Sequence, residues 1–409
     1  MRFRLLKWIS LGLGALVALL VIAILVIVWL VDPNRFKPRI EAAVREATGR
    51  SFTLAGDIDL GFFPWLALRT GEGRFGNAPG FGDEPMVTWQ RAQLGARLIP
   101  LLRGELVADR VVLEGADIRL VRHADGRANW QGIGGNEPAD PDAEPMELRI
   151  DGIEVRNTRV SLVDETVPRR IRVESLDLST DGIAPGEPFT DTEISGTVHM
   201  DGFAPEGVPF SLEVPRAVLP KDLGAIEIAE FSLAFGGFEA EGGVQGTLGG
   251  EPRLSGNVKS NTFDPRALLA AAGIEPPKTT DAAALGKLHF VAAWRFDAGA
   301  MAIDPFTLTL DDTHFVGSFR RGAGENAAGD FELRGDSLDI ARYIPPPDPD
   351  SEPFTLPTAA LKQLRFRGTV ELAQATLGDV TMKGVTLRLL LDDAGLRAEP
   401  TPAAPEQPE

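Results

Sequence analysis

The chain has 409 residues, a formal net charge of −18, no cysteine and four histidines. This acidity argues against a nucleic-acid partner, because phosphate contacts need clustered lysines and arginines. The absence of cysteine excludes disulfide bonds and thiolate chemistry within the chain. The 44 glycines and 31 prolines are typical of many short strands joined by turns.

An uncharged apolar run covers residues 9–31 and follows three basic residues, Arg2, Arg4 and Lys7. Its roughly 23 residues reach roughly 35 Å as a helix, enough to cross a hydrocarbon core ~30 Å thick. A cleaved signal peptide would have a shorter apolar region and a small-x-small cleavage site, which this run lacks. We therefore predict a cytoplasmic stub and a retained transmembrane anchor over residues 1–31.

The orientation of this anchor is predicted from the size of the domain that follows it. Basic residues lie on both sides of the apolar run, so the flanking charges favour neither orientation clearly. Large domains are translocated largely regardless of the flanking charge. We therefore expect the N-terminus in the cytoplasm and the body of the protein outside it.

Residues 32–50 predict a short amphipathic helix. Phe36, Ile40 and Val44 recur at helical spacing and form one apolar face. Asn34 is the expected N-cap and Gly49 the expected end. Two interpretations stay open: the helix packs on the end of the following β domain, or it lies on the membrane with this apolar face inserted.

From residue 51 onward the hydrophobic period changes to two, which is typical of strands with one apolar and one polar face. Helical structure is expected again at residues 264–272, with a turn at 340–343. Turns are also predicted at four Asp-Gly pairs, Asp125-Gly126, Asp151-Gly152, Asp181-Gly182 and Asp201-Gly202.

The chain resembles itself at an offset of about 75 residues. Segment 231–235 aligns with 306–310, Gly242 with Gly317, and segment 258–264 with 333–339. Repeats of this kind stack into arrays whose neighbours share a continuous core. We therefore interpret residues 286–345 as a β unit that repeats 215–275. Chance similarity between two strand-turn-strand units is the alternative.

Composition changes along the chain predict its domain organisation. Pro-, Asp- and Glu-rich stretches are typical of linkers, and the last residues have the composition of a disordered segment. After the anchor (1–31) and the amphipathic helix (32–50), we predict a first β unit at 51–135, a linker at 136–147, a β unit at 148–275, a linker at 276–285, the repeated β unit at 286–345, a Pro-rich linker at 346–357, terminal strands at 358–397 and a disordered tail at 398–409.

The predicted fold class is mainly β: behind the transmembrane and amphipathic helices, an elongated, repeated antiparallel sheet curls into a groove. A sheet with one apolar face must close into a barrel, pack on a second sheet or form a trough, and an exposed apolar strip indicates binding. An acyl chain is the expected occupant, since each buried CH₂ group contributes ~0.8 kcal/mol. The candidate groove lining is Phe210, Leu212, Phe231, Leu233, Phe235, Phe306, Leu308 and Leu310.

No catalytic, cofactor-binding or metal-binding residues are predicted, and we expect the protein not to be an enzyme. Asp311, Asp312 and His314 have the residue types of a metal or acid–base cluster, but their position between two strands favours a turn. Asp264 and Asp339 occupy equivalent positions of the repeat and are expected to cap a turn or helix. No glycine-rich nucleotide fingerprint follows a strand into a helix.

Five segments, in this order and spacing, resemble the AsmA family of bacterial envelope proteins: residues 32–50, 63–66, 75–81, 99–106 and 125–130. The resemblance implies an anchor in the inner membrane of a diderm bacterium and a β body in the periplasm. It also implies a hydrophobic β groove that carries lipid between the two membranes, and a link to outer-membrane assembly. It implies no catalytic residues. Family members usually continue with further strands after a segment like 370–397, so the chain is expected to be a short member or to lack a C-terminal part.

Two hypotheses from different classes follow. In the first, a non-enzymatic envelope protein supports outer-membrane assembly by holding or passing lipid along the groove. Its partners would be a phospholipid or another acyl-chain lipid and the inner membrane. In the second, a structural or scaffolding envelope protein regulates outer-membrane protein insertion through contacts with other envelope-assembly proteins, without lipid transport.

Overall fold

The computed structural model describes residues 32–61, 66–96, 107–132, 149–166, 169–183, 188–218, 224–248, 251–324, 327–346, 365–392 and 395–400. The anchor predicted over residues 1–31 lies outside this part of the chain, as do the linker at 136–147 and nearly all of the linker at 346–357. None of the described helices is long and apolar enough to cross a membrane. The fold is mainly β, as predicted.

The chain divides into two compact units. The first comprises the described residues within 1–146 and 160–167, and the second comprises those within 147–159 and 168–409. Strand β9 (Arg149–Asp164) supplies residues to both. The helical elements are a 3₁₀ turn (Pro33–Phe36) and helix α1 (Lys37–Thr48) in the first unit, and helix α2 (Pro265–Ala271) and a 3₁₀ turn (Ile340–Arg342) in the second.

The first unit contains two antiparallel ladders of four strands each, in the orders β1-β4-β5-β8 and β2-β3-β6-β7. The strands are short, and the two ladders alternate along the chain. Their bounds are β1 (Phe52–Leu54), β2 (Ile58–Gly61), β3 (Leu66–Thr70), β4 (Gly73–Phe75), β5 (Val87–Trp89), β6 (Arg91–Ala96), β7 (Val107–Glu114) and β8 (Asp117–Arg122).

Helix α1 ends at Gly49, as predicted, where the backbone adopts the left-handed conformation (φ 69°). Its start differs from the prediction. Asp32 accepts the backbone N–H of Asn34 at 3.0 Å and caps the 3₁₀ turn that precedes α1. Asn34 is not the cap, because its side chain accepts the N–H of Ile58 at 2.9 Å and joins the turn to β2.

In the second unit, strands β10 to β22 pair in chain order. Each strand therefore has its sequence neighbours beside it. The bounds are β10 (Arg169–Ile183), β11 (Pro188–Met200), β12 (Phe203–Val218), β13 (Ala225–Phe235), β14 (Phe238–Thr247), β15 (Arg253–Ser260), β16 (Leu288–Asp297), β17 (Ala300–Leu310), β18 (Thr313–Arg321), β19 (Gly329–Asp339), β20 (Phe366–Leu377), β21 (Val380–Asp392) and β22 (Gly395–Pro400).

One strand pair departs from the predicted antiparallel sheet: β19 and β20 are parallel. The chain returns from β19 to β20 through the long connection 340–365, and a crossover of this length is what a parallel pair requires. The curl of the sheet into a groove stays a prediction. Strand β22 extends to Pro400, into the segment predicted as the tail.

Two of the four Asp-Gly turn predictions are wrong. Turns are present at Asp125-Gly126 and at Asp201-Gly202, which joins β11 to β12. Asp151-Gly152 and Asp181-Gly182 instead lie inside β9 and β10. These two strands pair with each other, and long-range pairing of this kind overrides a local turn preference.

The two segments related by 75 residues have the same detailed structure. Phe231 lies opposite Gly242 in the first copy, and Phe306 lies opposite Gly317 in the second. Each pairing has a bulge just before the phenylalanine, between Ile228 and Phe231 and between Ile303 and Phe306. A side-chain hydrogen bond is also repeated: Asn261 accepts from the N–H of Glu239 at 3.2 Å, and Asp336 accepts from that of His314 at 3.0 Å.

Candidate binding face

All eight candidate lining residues lie on the same side of the sheet in the second unit. Phe210 and Leu212 of β12 are the register partners of Phe235 and Leu233 of β13. Opposed residues of an antiparallel pair share one face, and so do residues two apart on a strand. Phe231 therefore lies on this face as well, although the bulged part of the β12–β13 ladder gives it no direct partner in β12.

Strands β14, β15 and β16 connect these residues to the second copy of the repeat. The connecting register partners are Leu233 and Ala240, Gly242 and Val258, Val258 and Ala292, and Ala292 and Phe306. Leu308 and Leu310 follow Phe306 at intervals of two and lie opposite Phe315 and Thr313 of β18. We refer to this side of the sheet, from β12 to β21, as the apolar face.

The apolar face also includes large side chains that the sequence analysis missed. Phe238 stacks with Phe290 at 6.1 Å between ring centres and meets Phe263 edge-on at 5.0 Å. The strand register also places Trp294 and Phe331 on this face. The signal was present in the sequence, since Phe290, Ala292, Trp294 and Phe296 alternate with other residues along β16.

The apolar face is almost free of charge. Among the paired positions of β14 to β18 that the register places on it, Arg321 at the end of β18 is the single charged residue. Arg321 donates from Nε to the carbonyl of Ala327 at 3.1 Å. The opposite side of the same strands carries residues such as Glu239, Glu241 and Asp330. The sheet therefore has one polar and one apolar side.

Most side chains of the apolar face are half-buried. This is true of all eight candidate lining residues. One cluster of fully buried side chains on this face comprises Phe315, Leu372 and Ala375, against which Leu308, Leu310, Leu333, Leu338, Ile340, Val370 and Val385 pack. Because the eight candidate lining residues retain solvent exposure, this part of the face is accessible to a ligand.

Six glycines of the second unit lie directly opposite an aromatic residue on the neighbouring strand. A methyl carbon placed on Gly317 would lie 2.7 Å from Cζ of Phe306, and one on Gly242 would lie 3.0 Å from Cζ of Phe231. The rings therefore lie down over the glycines instead of standing upright, an arrangement that also stabilises glycine in strands. The pairs are Gly196–Phe210, Gly242–Phe231, Gly256–Trp294, Gly317–Phe306, Gly335–Phe315 and Gly368–Phe331.

Helix α2 borders the apolar face at the ends of β12 and β13. It packs on β12, and Leu268 lies next to Gly236 in the turn between β13 and β14. Asp264 caps this helix by accepting from the N–H groups of Arg266 and Ala267 at 2.8 and 3.1 Å. Asp339 caps the second 3₁₀ turn in the same way through Ala341, so the predicted capping roles are confirmed.

The candidate membrane-proximal residues lie on α1 in the first unit. Ile40 and Val44 are half-buried, whereas the Phe36 side chain is 44% exposed. The helix packs on β1, and Glu41 accepts the N–H of Leu54 at 2.9 Å. The structure thus shows α1 packed on the first unit, as in the first of the two interpretations, while its contact with a membrane stays a prediction.

Residues from three of the five AsmA-like segments meet in a buried polar knot. Arg50 is only 4% exposed and donates to the carbonyls of Asn129 and Gln131 at 2.7 and 2.8 Å. Its guanidinium also lies 5.5 Å from the centre of the Phe75 ring. Burial lowers the pKa of Arg50. The segments at 63–66 and 99–106 lie almost wholly outside the described residues.

Asn129 completes this knot and is fully buried. Its Oδ1 accepts the N–H of Val121 at 3.0 Å, and its Nδ2 donates to Asn77 Oδ1 at 3.0 Å and to the carbonyl of Arg119 at 2.8 Å. Every polar atom of this side chain is therefore satisfied within the first unit. These contacts give Arg50, Asn77 and Asn129 a structural role.

The predicted turn at Asp311 and Asp312 is confirmed, and it joins β17 to β18. Asp311 accepts the N–H groups of Leu285, Gly286 and Lys287 at 2.8 to 3.0 Å, and the hydroxyl of Tyr343 at 2.8 Å. Its carboxylate is thus used to join three segments of the chain. No group of three or more His, Asp or Glu side chains that could hold a metal ion occurs within the described ranges.

The fold and this face define a class of protein: an open β sheet with one continuous, almost uncharged and partly exposed apolar side. The AsmA family model matches residues 2–203, just under half of the chain. The AsmA family protein YhjG of Escherichia coli (strain K12) is 25% identical over 199 residues, which cover 45% of this chain and 28% of that protein. No solved structure shows a significant match.

The resemblance to the AsmA family is therefore confirmed over residues 2–203 of this chain. The matched segment spans less than a third of the length of the Escherichia coli relative. The matched residues include the polar knot and α1, whereas most of the apolar face lies beyond residue 203.

Proposed function

We propose that this chain is a non-enzymatic cell-envelope protein that holds or passes phospholipid, or another acyl-chain lipid, along the apolar face. The observation that supports this most directly is the continuity of that face across β12 to β21 without a charged side chain in its interior rows. Since each CH₂ group moved from water to an apolar surface contributes ~0.8 kcal/mol, an acyl chain needs no charged anchor there.

The proposed setting is the inner membrane of a diderm bacterium, with the body in the periplasm and a role in outer-membrane assembly. The match of residues 2–203 to the AsmA family model supports this setting. A reporter fused after residue 409 tests it, because we expect activity only outside the cytoplasm. A reporter active only in the cytoplasm would contradict the proposed orientation.

Photo-crosslinking at repeat-equivalent positions tests the proposed ligand. A photoreactive amino acid at Leu233 or Leu308 places the probe on the apolar face of either copy. Ser232 and Thr307 are the matched controls, because each precedes its test position and points to the opposite side of the sheet. We expect phospholipid adducts, detected by mass spectrometry of the purified protein, from the test positions and not from the controls.

Two outcomes would count against lipid binding. Equal lipid capture at Leu308 and Thr307 would indicate nonspecific adsorption. Capture of other envelope proteins without lipid would favour the scaffolding hypothesis instead.

A further inference from the structure

The polar side of strands β18 to β22 contains a hollow that neither the family nor the apolar face accounts for. Its volume of about 450 Å³ lies within the range of small-molecule sites. Its ionisable lining residues are Arg320, Arg367, Arg388, Arg397, Asp330 and Glu332. Four of these six residues are arginines, although the whole chain has a net charge of −18. We refer to it as the arginine hollow.

The strand register arranges three of these arginines around one exposed apolar side chain. Leu390 of β21 has Arg367 of β20 and Arg397 of β22 as its two register partners. Arg388 lies two residues before Leu390 on the same side of β21. Leu390 is 38% exposed. An apolar contact point is therefore surrounded by three guanidinium groups.

The ion pairs in the arginine hollow do not involve all of its cations. Arg320 pairs with Asp304, and Arg367 pairs with Asp330. Arg388 makes no hydrogen bond or ion pair with any described residue, although Glu399 is its register partner in β22. A ligand can therefore reach Arg388 without displacing either of these two ion pairs.

We propose that the arginine hollow binds a phosphate group, either free or as part of an organic headgroup. A guanidinium presents its donors as a planar fork that matches phosphate oxygens two at a time. A carboxylate is planar and satisfies one such fork, whereas a tetrahedral phosphate can accept from guanidiniums that approach from different directions. Exposed Leu390 provides contact for an organic substituent on the phosphate.

This inference does not depend on the proposed lipid function, because the arginine hollow and the apolar face lie on opposite sides of the sheet. The test therefore uses probes without acyl chains, inorganic phosphate and glycerol 1-phosphate, which have no affinity for an apolar surface. Binding to the full chain in uncharged detergent is measured by isothermal titration calorimetry at low and at physiological salt. Failure of these probes to bind would overturn the arginine hollow and leave the apolar face untouched.

The key variant is Arg388→Met, which keeps a flexible unbranched side chain and removes the charge. Arg295→Met is the matched control, because Arg295 is an exposed arginine on the polar side of β16, away from the hollow. We expect Arg388→Met to weaken phosphate binding about tenfold and Arg295→Met to change it less than about twofold. Equal losses in the two variants would show a diffuse charge effect and overturn the site.

Two further measurements identify the ligand and check the geometry. Tighter binding of glycerol 1-phosphate than of inorganic phosphate would assign the site to an organic headgroup, and equal binding would assign it to free phosphate. Arg388→Lys keeps the charge but loses the planar fork, so we expect an intermediate loss of affinity. Full affinity in Arg388→Lys would contradict recognition by the guanidinium. Unchanged thermal unfolding of each variant shows that the fold is intact.

Discussion

Arg50 is a buried cation whose polar contacts are made with neutral groups. Its bonds go to the carbonyls of Asn129 and Gln131, and the sulfur of Met86 lies 3.2 Å from Nη1. The low polarity of the site lowers its pKa, but an arginine remains protonated at all physiological pH values. The energy of this contact therefore comes from the geometry of the planar guanidinium, which spans two carbonyls at once.

Replacement of Arg50 by lysine should destabilise the first unit, because an ammonium cannot reach both carbonyls in the fixed fork of a guanidinium. We expect the free energy of unfolding to fall by about 1–3 kcal/mol, the usual cost of leaving a buried polar group without its partner. Hydrogen exchange should increase at residues 121–131, around Asn129.

The matched control is Arg45→Lys, since Arg45 is exposed on α1 and close in sequence. We expect this control to change stability by less than about 0.5 kcal/mol, as is usual for surface substitutions. If both lysine variants unfolded at the same denaturant concentration as the original protein, the proposed role of the Arg50 knot would be wrong.

At the scale of the elements, the turn between β17 and β18 is joined to the turn after β19 through Asp311 and Tyr343. Burial acts to raise the pKa of Asp311, but the hydrogen bonds from Tyr343 and from three backbone amides outweigh it and lower the pKa. Burial and the bond to Asp311 both raise the pKa of Tyr343. The contact is therefore strongest with a charged carboxylate and a neutral phenol.

These two shifts define a pH window for the contact. A lowered carboxyl pKa contributes stability above the ordinary value of about 3.9, and this stability is lost as the pH falls through the folded value. A raised phenol pKa contributes stability below the ordinary value of about 10, and this stability is lost as the pH rises through the folded value. The contact is thus fully formed between these two ordinary values.

Tyr343 is the single tyrosine of the chain, so phenolate absorbance at 295 nm reports on it alone. In the folded protein, we expect the midpoint of the Tyr343 phenol titration to lie above the ordinary pKa of about 10. In Asp311→Asn, this midpoint should move down toward the ordinary value. Circular dichroism recorded over the same titration verifies that the chain is folded at each point. A midpoint of about 10 in the folded original protein would contradict the contact.

Sequence patterns predicted which residues share a face of the sheet, but they did not predict every pairing between strands. Leu233 and Leu308 were identified from alternation, because burial of every second residue leaves a local trace. The parallel pairing of β19 with β20 leaves no such trace, since it depends on the path of a long connection. The Arg50 contacts join residues 79 and 81 positions apart, which no periodic pattern encodes. The arginine hollow was missed for the same reason, because Arg367, Arg388 and Arg397 converge only through strand register.

At the scale of the whole molecule, the repeat provides an internal test of the apolar face. Leu233 and Leu308 are equivalent positions 75 residues apart, and both lie in the same continuous surface. If a ligand occupies this surface along its length, a charge at either position should interfere with it. A surface made of independent patches would instead respond to only one of them.

We expect Leu233→Asp and Leu308→Asp each to lower the amount of lipid bound per chain by about tenfold or more, because an unpaired carboxylate against acyl chains costs several kcal/mol. Lipid that copurifies with the chain is quantified by mass spectrometry. Ser232→Asp and Thr307→Asp place the same charge on the polar side and should leave bound lipid unchanged. Retention of lipid in both leucine variants would contradict the proposed function.

The glycines opposite the aromatic rings determine how far those rings project from the sheet. Because each ring lies flat over a glycine, it adds only the thickness of one ring to the apolar face at that point. A side chain added at Gly317 would displace the Phe306 ring, because its Cβ would lie 2.7 Å from Cζ of that ring.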